Sequence, residues 1–359
     1  MYMDFSLSQH QLDAASKAQR FAEAHVVPHV KKIEDDLEYR KKLFLEMAQA
    51  GFFKPYDDYL SYLLTLKEFA KADGGLAATL SVTQMVAAAI AHVGSEAQKQ
   101  KYLPRVASGE LVPLSFALTE KQSGSDAKSI QLQADSSGKL SGEKHYISNA
   151  DLAGVILVLA NSPEGITAYL VDRDAPGLSF PKKEKKLGLL SANLVSVRFE
   201  NCQGEQLGES GQGFKIAMNS LDNGRIAIAA QSLGIAEAAY EAALSFSKQR
   251  RQFGNPIFDY QAIAFKLADM RLKLDAGTLL LYKAASLKQH NKPCTLEASE
   301  AKLFCSESAN QIAYDAVQIF GVRGYIEDYP IERYYRDARA TTLYEGTSEI
   351  QRLIISRKL

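Results

Sequence analysis

Cysteine is scarce: Cys202, Cys294 and Cys305 are the only three in 359 residues. Their number is odd, their spacings are wide and no CxxC occurs. That argues against a disulfide framework or a structural zinc site and fits a reducing, cytoplasmic setting, with the thiols as buried core residues. Net charge is absent as well. The 42 basic residues balance 42 acidic ones, so no global field draws the chain to nucleic acid or an anionic membrane. The histidines (His10, His25, His29, His92, His145 and His290) are scattered without metal spacing. His25 and His29 lie four apart on one candidate helix, but no carboxylate-bearing motif accompanies them, and no metal is expected. There is no Walker loop, and no GxGxxG follows a strand, so no nucleotide is expected in a Rossmann crevice. The longest apolar stretch, Ala77 to Ala91, is interrupted by Thr79, Ser81, Thr83 and Gln84. It is too short and too polar to span a bilayer and reads as a buried helix. Met1 to Leu12 is polar, with no cationic segment leading into an apolar core, so no secretory signal is expected.

What is present is an ordinary globular composition, 46% apolar and 23% charged. The length exceeds one hydrophobic core, so two or three domains are expected. Periodicity divides the chain. From Leu7 to Gly109 apolar residues recur at three- and four-residue spacing, with Gly51 and Gly74-Gly75 as stops and a short basic helix at Lys99 to Arg105. Beyond Val112 the period becomes two. Ile130 to Ala134 alternates, and 155–160, 166–171 and 195–199 read as strands between turn signals such as Ser162-Pro163-Glu164-Gly165. From Phe214 the helical period returns, in segments 214–248, 259–289, 295–320 and 347–357. The pattern predicts a multidomain α+β chain: a helical domain over 1–114, a middle antiparallel β-barrel or sandwich over 115–213, and a C-terminal four-helix bundle over 214–359.

Five segments carry residues suited to chemistry. In Tyr344-Glu345-Gly346-Thr347-Ser348-Glu349-Ile350-Gln351, Ser348 and Gln351 form a capping-box pattern that predicts a helix start, hence an anion site. Glu345, on flexible backbone beside it, reads either as a general base or as a solvated loop residue. The run Phe116-Ala117-Leu118-Thr119-Glu120-Lys121-Gln122-Ser123-Gly124-Ser125-Asp126 takes a strand into a loop of small residues. Such a loop lets backbone amides approach a flat ring or a phosphate, or is simply polar. Asp222 and Arg225 share a helix face, as an exposed ion pair or as ligand contacts. Arg250-Arg251-Gln252-Phe253-Gly254 closes a helix, where arginines complement the dipole or bind a pyrophosphate. Gln318-Ile319-Phe320-Gly321-Val322-Arg323-Gly324 is, by itself, a helix end.

Together and in this order, these segments resemble the acyl-CoA dehydrogenase family over nearly the whole chain, from Phe5 onward. The carriers are Thr119-Glu120…Gly124-Ser125-Asp126, Asp222-x-x-Arg225, Arg250-x-Gln252-Phe253-Gly254, Gln318-x-x-Gly321 and Tyr344-Glu345-Gly346-Thr347. Leu221 to Ile226 looks like the short-chain, butyryl-CoA branch. The resemblance implies the three-domain fold and FAD held non-covalently between subunits of a homotetramer or dimer. It implies an acyl-CoA substrate and an electron-transfer flavoprotein as acceptor. Phe116, Leu118, Thr119, Gly124 and Ser125, with Tyr146, Ile147 and Ser148, match positions along the flavin. Arg250, Phe253, Gln318 and Gly321 match partner-subunit contacts to the cofactor's pyrophosphate and adenosine. Thr347 and Glu349 match the contact at the last helix. Ser125, Asp222, Arg225, Tyr344 and Gly346 match the acyl-CoA site, and Glu345 matches the base that takes the α-proton while the β-hydride moves to flavin N5.

The sequence departs from the family in three places. Lys121-Gln122-Ser123 replaces a Pro-Gly-Ala, which leaves the loop's path open. Val322 replaces a glycine, which puts a side chain toward the adenosine end. Between Phe53 and Phe69 a proline- and glycine-rich stretch is missing and only Pro55 to Leu60 bridges the gap, a change expected to open or reshape the channel floor. The alternatives are a same-fold oxidase or monooxygenase, a dehydrogenase of carrier-protein thioesters, and a non-enzymatic member.

Overall fold

The computed structural model describes residues 6–56 and 58–359. Met1 to Phe5 of the polar N-terminus, and Asp57 within the shortened segment, lie outside the described residues. The first helices are α1 (Gln9–Phe21), α2 (Val30–Asp35), α3 (Leu37–Gln49), α4 (Tyr59–Ala72), α5 (Gly74–Val93) and α6 (Glu96–Ala107). Their starts are written in the sequence. Ser8 and Gln11 form a full capping box on α1, as Ser95 and Gln98 do on α6. Gly74-Gly75 does not end a helix as expected. It opens α5, whose N-cap is Asp73, with Leu76 N–H donating to Asp73 Oδ1 at 2.7 Å. Glycine is needed there because a Cβ on Gly75 would meet the Ala192 backbone nitrogen at 3.0 Å and Leu189 O at 3.1 Å. Among the described residues, α5 is the one helix long and apolar enough to cross a membrane by length and composition, and 72% of that stretch is buried inside the protein. It is a core helix.

The middle region is one sheet built from β1 (Leu114–Ala117), β2 (Gln133–Ala134), β3 (Lys139–Ser148), β4 (Val155–Ser162), β5 (Gly165–Asp172), β6 (Leu178–Lys183), β7 (Leu194–Gln203) and β8 (Glu205–Leu207). The strand order is β6-β7-β3-β2-β4-β5-β8, with β1 alongside β4. The sheet is mixed rather than wholly antiparallel, because β1 and β2 both run parallel to β4. Of the alternating run Ile130 to Ala134, only Gln133–Ala134 pairs as strand. Central β4 is buried on both faces, and its side chains divide with period two. Val155, Leu157 and Leu159 join the main helical core, while Ile156, Val158 and Ala160 join a second core with residues of β3 and β7.

The C-terminal region holds three long helices, α7 (Gly213–Gln249), α8 (Gln261–Gln289) and α9 (Thr295–Phe320), and the shorter α10 (Ile331–Ala340) and α11 (Ser348–Ser356). A small hairpin, β9 (Arg251–Gln252) with β10 (Asn255–Pro256), links α7 to α8. The unbroken buried run Gly224 to Ala236 shows α7 to be central, buried on every side. Buried polar groups join the three regions. Ser191 Oγ donates to Asp73, Leu189 N–H donates to Asp337 Oδ1 at 2.5 Å, and Gln231 Nε2 donates to Gly74 O at 2.7 Å. Burial, with Asp73 beside it, pushes the Asp337 carboxyl up to about 7.

Candidate active site

Glu345 lies in the turn between α10 and α11, in a left-handed conformation (φ 55°), followed by Gly346 at φ 90°. A glutamate in that region is strained, and the neighbours hold it there. Gln351 Nε2 donates to Glu345 O at 3.1 Å and to Gly346 O at 2.9 Å. Lys302 Nζ, from α9, donates to Gly346 O at 2.7 Å. These bonds replace the expected capping box. Gln351 turns back onto the loop carbonyls, and the N-cap of α11 is Thr347, whose Oγ1 accepts from Ile350 N–H at 3.4 Å. The helix still starts where expected, and Ser348 is its first residue.

The Glu345 carboxylate lies against Gly224 of α7. A Cβ at Gly224 would stand 2.6 Å from Glu345 Cδ and 2.9 Å from Oε1, so only glycine leaves the carboxylate its place. Glu345 Oε2 is buried without a hydrogen-bond partner. Burial pushes this carboxyl up to about 7, against the downward pull of Arg225 and Lys302. Lys302 is fully buried, and burial brings its amine down to about 8 while Glu345 opposes the change. Asp222 and Arg225 are not an exposed pair. Arg225 is 6% exposed, its Nη1 donates to Asp222 Oδ1 at 2.5 Å, and Thr295 Oγ1 donates to Asp222 Oδ2 at 2.7 Å. Arg225 Nε and Asn223 Oδ1 are also buried without partners. Tyr344 OH donates to Gln231, which fixes the loop to α7. Lys302 was missed because no motif marks it. The available signal was a lysine within the apolar register Ala298, Ala301, Cys305 and Ala309.

Asn223 and Gly224 form one end of a cavity of about 420 Å³. Its walls are Phe53, Pro55, Tyr56, Tyr59 and Tyr62, the α5 face from Ser81 to His92, and Leu103 and Val106 of α6. The shortened segment thus forms part of the cavity wall. A second, polar cleft of about 440 Å³ borders the N-terminus of α11 at Ser348 and Glu349 and runs along α9 and α10 past Asn310, Tyr335 and Arg339.

Phe116, Leu118 and Thr119 lie beside Tyr146, Ile147 and Ser148. His145 N–H donates to Thr119 O at 2.9 Å, and Ser115 Oγ donates to Ser148 O at 2.6 Å. Tyr146 has φ 58° and is 55% exposed, whereas Ile147 is buried. Without the Pro-Gly, the loop takes its path from Glu120. That carboxylate accepts from Lys144 Nζ (2.7 Å), Gln131 N–H (2.6 Å), Leu132 N–H (3.0 Å) and Gln122 Nε2 (2.7 Å). Burial acts against the charged form of Glu120, but these bonds win and hold it below the usual carboxylate range. Burial brings Lys144 down to about 8. Gly124 and Ser125 are exposed at the tip, and a Cβ on Gly124 would touch nothing.

Arg250, Phe253, Gln318 and Gly321 do not line the Glu345 cavity. They sit at one common end of α7 and α9, where Phe246 stacks on Phe320 with ring centroids 4.1 Å apart. Phe253 is 94% exposed at the hairpin tip with φ 51°, and Gln318, Gly321 and Val322 are exposed as well. Val322 therefore crowds nothing within its own chain.

Sequence models of three domains match the chain: acyl-CoA dehydrogenase N-terminal domain over 8–110, middle domain over 115–202 and C-terminal domain over 211–359. The short-chain specific acyl-CoA dehydrogenase of Megasphaera elsdenii is 40% identical over 377 aligned residues, covering 98% of each chain. The solved butyryl-CoA dehydrogenase of the same organism superposes with a TM-score of 0.93, at 40% identity and 99% coverage of both chains. A chain from a structure of the electron transferring flavoprotein of Acidaminococcus fermentans, concerned with flavin-based electron bifurcation, superposes at 0.95, with 40% identity and 99% coverage of both. The chain belongs to the acyl-CoA dehydrogenase family and is an FAD-dependent oxidoreductase.

Proposed function

We propose that this protein converts an acyl-CoA thioester to its trans-2-enoyl-CoA, with Glu345 as the base. The observation that carries the reading is the unpartnered Glu345 Oε2, buried against Gly224, which lines a mainly apolar cavity, with its carboxyl pushed up to about 7. A base needs an affinity for protons matched to its working pH, and burial supplies it. Arg225 and Lys302 pull the carboxyl back down toward the neutral range against burial. In this reading the backbone N–H of Glu345 would donate to the thioester carbonyl and stabilise enolate character. Asp222, Arg225, Tyr344, Gly346 and Ser125 form the substrate's polar surroundings.

The residues present fit FAD. Ser348 Oγ is buried without a partner beside the polar cleft at the α11 N-terminus, a setting suited to phosphate, and Thr347 and Glu349 flank it. In this reading Phe116, Leu118, Thr119, Gly124, Ser125, Tyr146, Ile147 and Ser148 would lie along the flat ring, with Leu118 and Ile147 buried behind the others. Bound FAD supplies the acceptor, at N5, for the β-hydride. Arg250, Phe253, Gln318 and Gly321 serve the cofactor of a neighbouring subunit in a homodimer or homotetramer, which accounts for a fully exposed phenylalanine. An electron-transfer flavoprotein takes the electrons, a partner suggested by the Acidaminococcus structure. Three free, buried cysteines suit the cytoplasm. Domain boundaries at 114/115 and 213/214 lie within one residue of the starts of β1 at Leu114 and α7 at Gly213.

Anaerobic titration with a saturated acyl-CoA tests the reading. The wild-type flavin absorbance should bleach, and Glu345→Gln should bind the thioester without bleaching. Full reduction of the variant at the wild-type rate would overturn the assignment.

A further inference from the structure

The acyl cavity has a far end, and that end is open. Ser81, the pair Gln84 and Met85, Ala88 and His92 recur at three- and four-residue steps and line one face of α5, flanked by Ala87 and Ala91. Exposure rises along this face. Ser81 and Met85 are buried, Gln84 and Ala87 are half-buried, and Ala88, Ala91 and His92 are exposed. The opposite wall is the short segment, with Phe53 and the rings of Tyr56, Tyr59 and Tyr62. Two of these tyrosines spend their hydroxyls on the protein itself. Tyr56 OH donates to Phe52 O at 3.3 Å, and Tyr59 OH donates to Asn223 O at 3.4 Å. Both are left to present ring faces. Leu103 and Val106 complete an apolar lining that leads from Gly224, and hence from Glu345, to solvent.

From Ser81 to His92 the helix rises about 16 Å. An extended alkyl chain advances roughly 1.3 Å per C–C bond of about 1.5 Å, so that length takes about twelve carbons. We propose that the acyl site is a channel open at its distal end, and that the protein takes long, linear, saturated acyl-CoA thioesters whose tails leave between Pro55 and the Ala88–Ala91–His92 face. The small side chains of Ala87, Ala88 and Ala91 make room for the tail beside Pro55. The alignment with the Megasphaera relative spans 377 positions against 359 residues here, so that relative carries residues absent here.

This inference rests on the dehydrogenase reading, and the test separates the two. The FAD-loaded enzyme is reduced anaerobically with butyryl-, octanoyl-, dodecanoyl- and palmitoyl-CoA, and kcat/KM is measured for each. Each methylene buried along the channel favours binding by roughly fourfold, so dodecanoyl-CoA should exceed butyryl-CoA by at least tenfold, with palmitoyl-CoA still accepted. Reduction confined to butyryl- and octanoyl-CoA overturns the open channel while leaving the dehydrogenase reading intact. No reduction by any of the four overturns that reading and the channel with it. Ala88→Trp and Ala91→Trp, assayed as FAD-loaded folded protein, should each lower the dodecanoyl-to-butyryl ratio at least tenfold. An unchanged ratio in both variants places the tail elsewhere and refutes the proposal.

Discussion

Glu345→Gln should stabilise the protein as it abolishes activity, and the stabilisation should depend on pH. In the folded state the carboxyl stands at about 7, against 4.5 for a free glutamate, because burial opposes its charge. That difference corresponds to roughly 3 kcal/mol against the ionised folded form, trimmed to roughly 2 because the residue as a whole is only half-buried. The sign follows from linkage. Below pH 4.5 the group is protonated in both the folded and unfolded chains, and the wild type and the variant differ little. Between 4.5 and about 7 the folded chain holds a proton that the unfolded chain has released, so the wild type loses stability as pH rises. Above 7 the full penalty is present, and a neutral glutamine avoids it. At this chain length a kcal/mol moves the melting temperature by about 1–2 °C. The FAD-loaded variant should therefore melt about 2–4 °C above the wild type at pH 8.5 and within a degree of it at pH 5, at one fixed scan rate. The rate of flavin reduction in the wild type should rise about tenfold per pH unit toward a plateau above 7, and fall by about 10²-fold or more in the variant at pH 8. An equal melting difference at both pH values, or a less stable variant at pH 8.5, would refute the reasoning.

The long helices α7, α8 and α9 were legible because their apolar period runs for seven turns or more. The mixed pairing of the sheet was not. β1 and β2 are four and two residues long, and their parallel partner β4 lies far along the chain, so no local pattern announces it. Gly74-Gly75 was misread for a related reason: a glycine pair signals a stop unless the close approach of the 189–192 loop is known. The same limit applies to the site. Glu345 by itself reads as a loop residue, and only the order of five motifs made it a candidate. Its burial depends on Gly224, Arg225 and Lys302, which lie 43 or more positions earlier. Lys302 and Lys144 escaped notice altogether, and Glu120 was named only as part of its motif, because a charged residue looks solvated in sequence until its partners are known.

Two of those buried charges and one exposed ring carry the remaining predictions. Glu120→Ala leaves Lys144 uncompensated and should destabilise the protein by about 3–5 kcal/mol, seen as a lower melting temperature and early release of fluorescent flavin. Because the Glu120 carboxyl lies below its usual range, its contribution is complete above pH 4.5, and the gap to wild type should shrink as pH falls through the folded value. Phe253→Ala removes a ring that is 94% exposed, so the fold of the single chain should be indifferent, yet FAD retention after dialysis should drop if the ring serves a neighbouring subunit's cofactor. Undiminished retention would remove Phe253 from the cofactor site. Lys302 allows two roles to be separated. Its amine holds Gly346 O, which orients the turn, and its charge draws the Glu345 carboxyl downward. Lys302→Gln can keep the hydrogen bond without the charge, whereas Lys302→Met keeps neither. Loss of the charge should move the midpoint of the pH–rate profile upward in both variants. Loss of the hydrogen bond should lower the plateau rate in Lys302→Met alone, since a turn held by Gln351 only gives the carboxylate a wider range of positions and rate falls steeply with misplacement. If the midpoint stays where it is in both variants, Lys302 supports the loop as packing and has no part in setting the base.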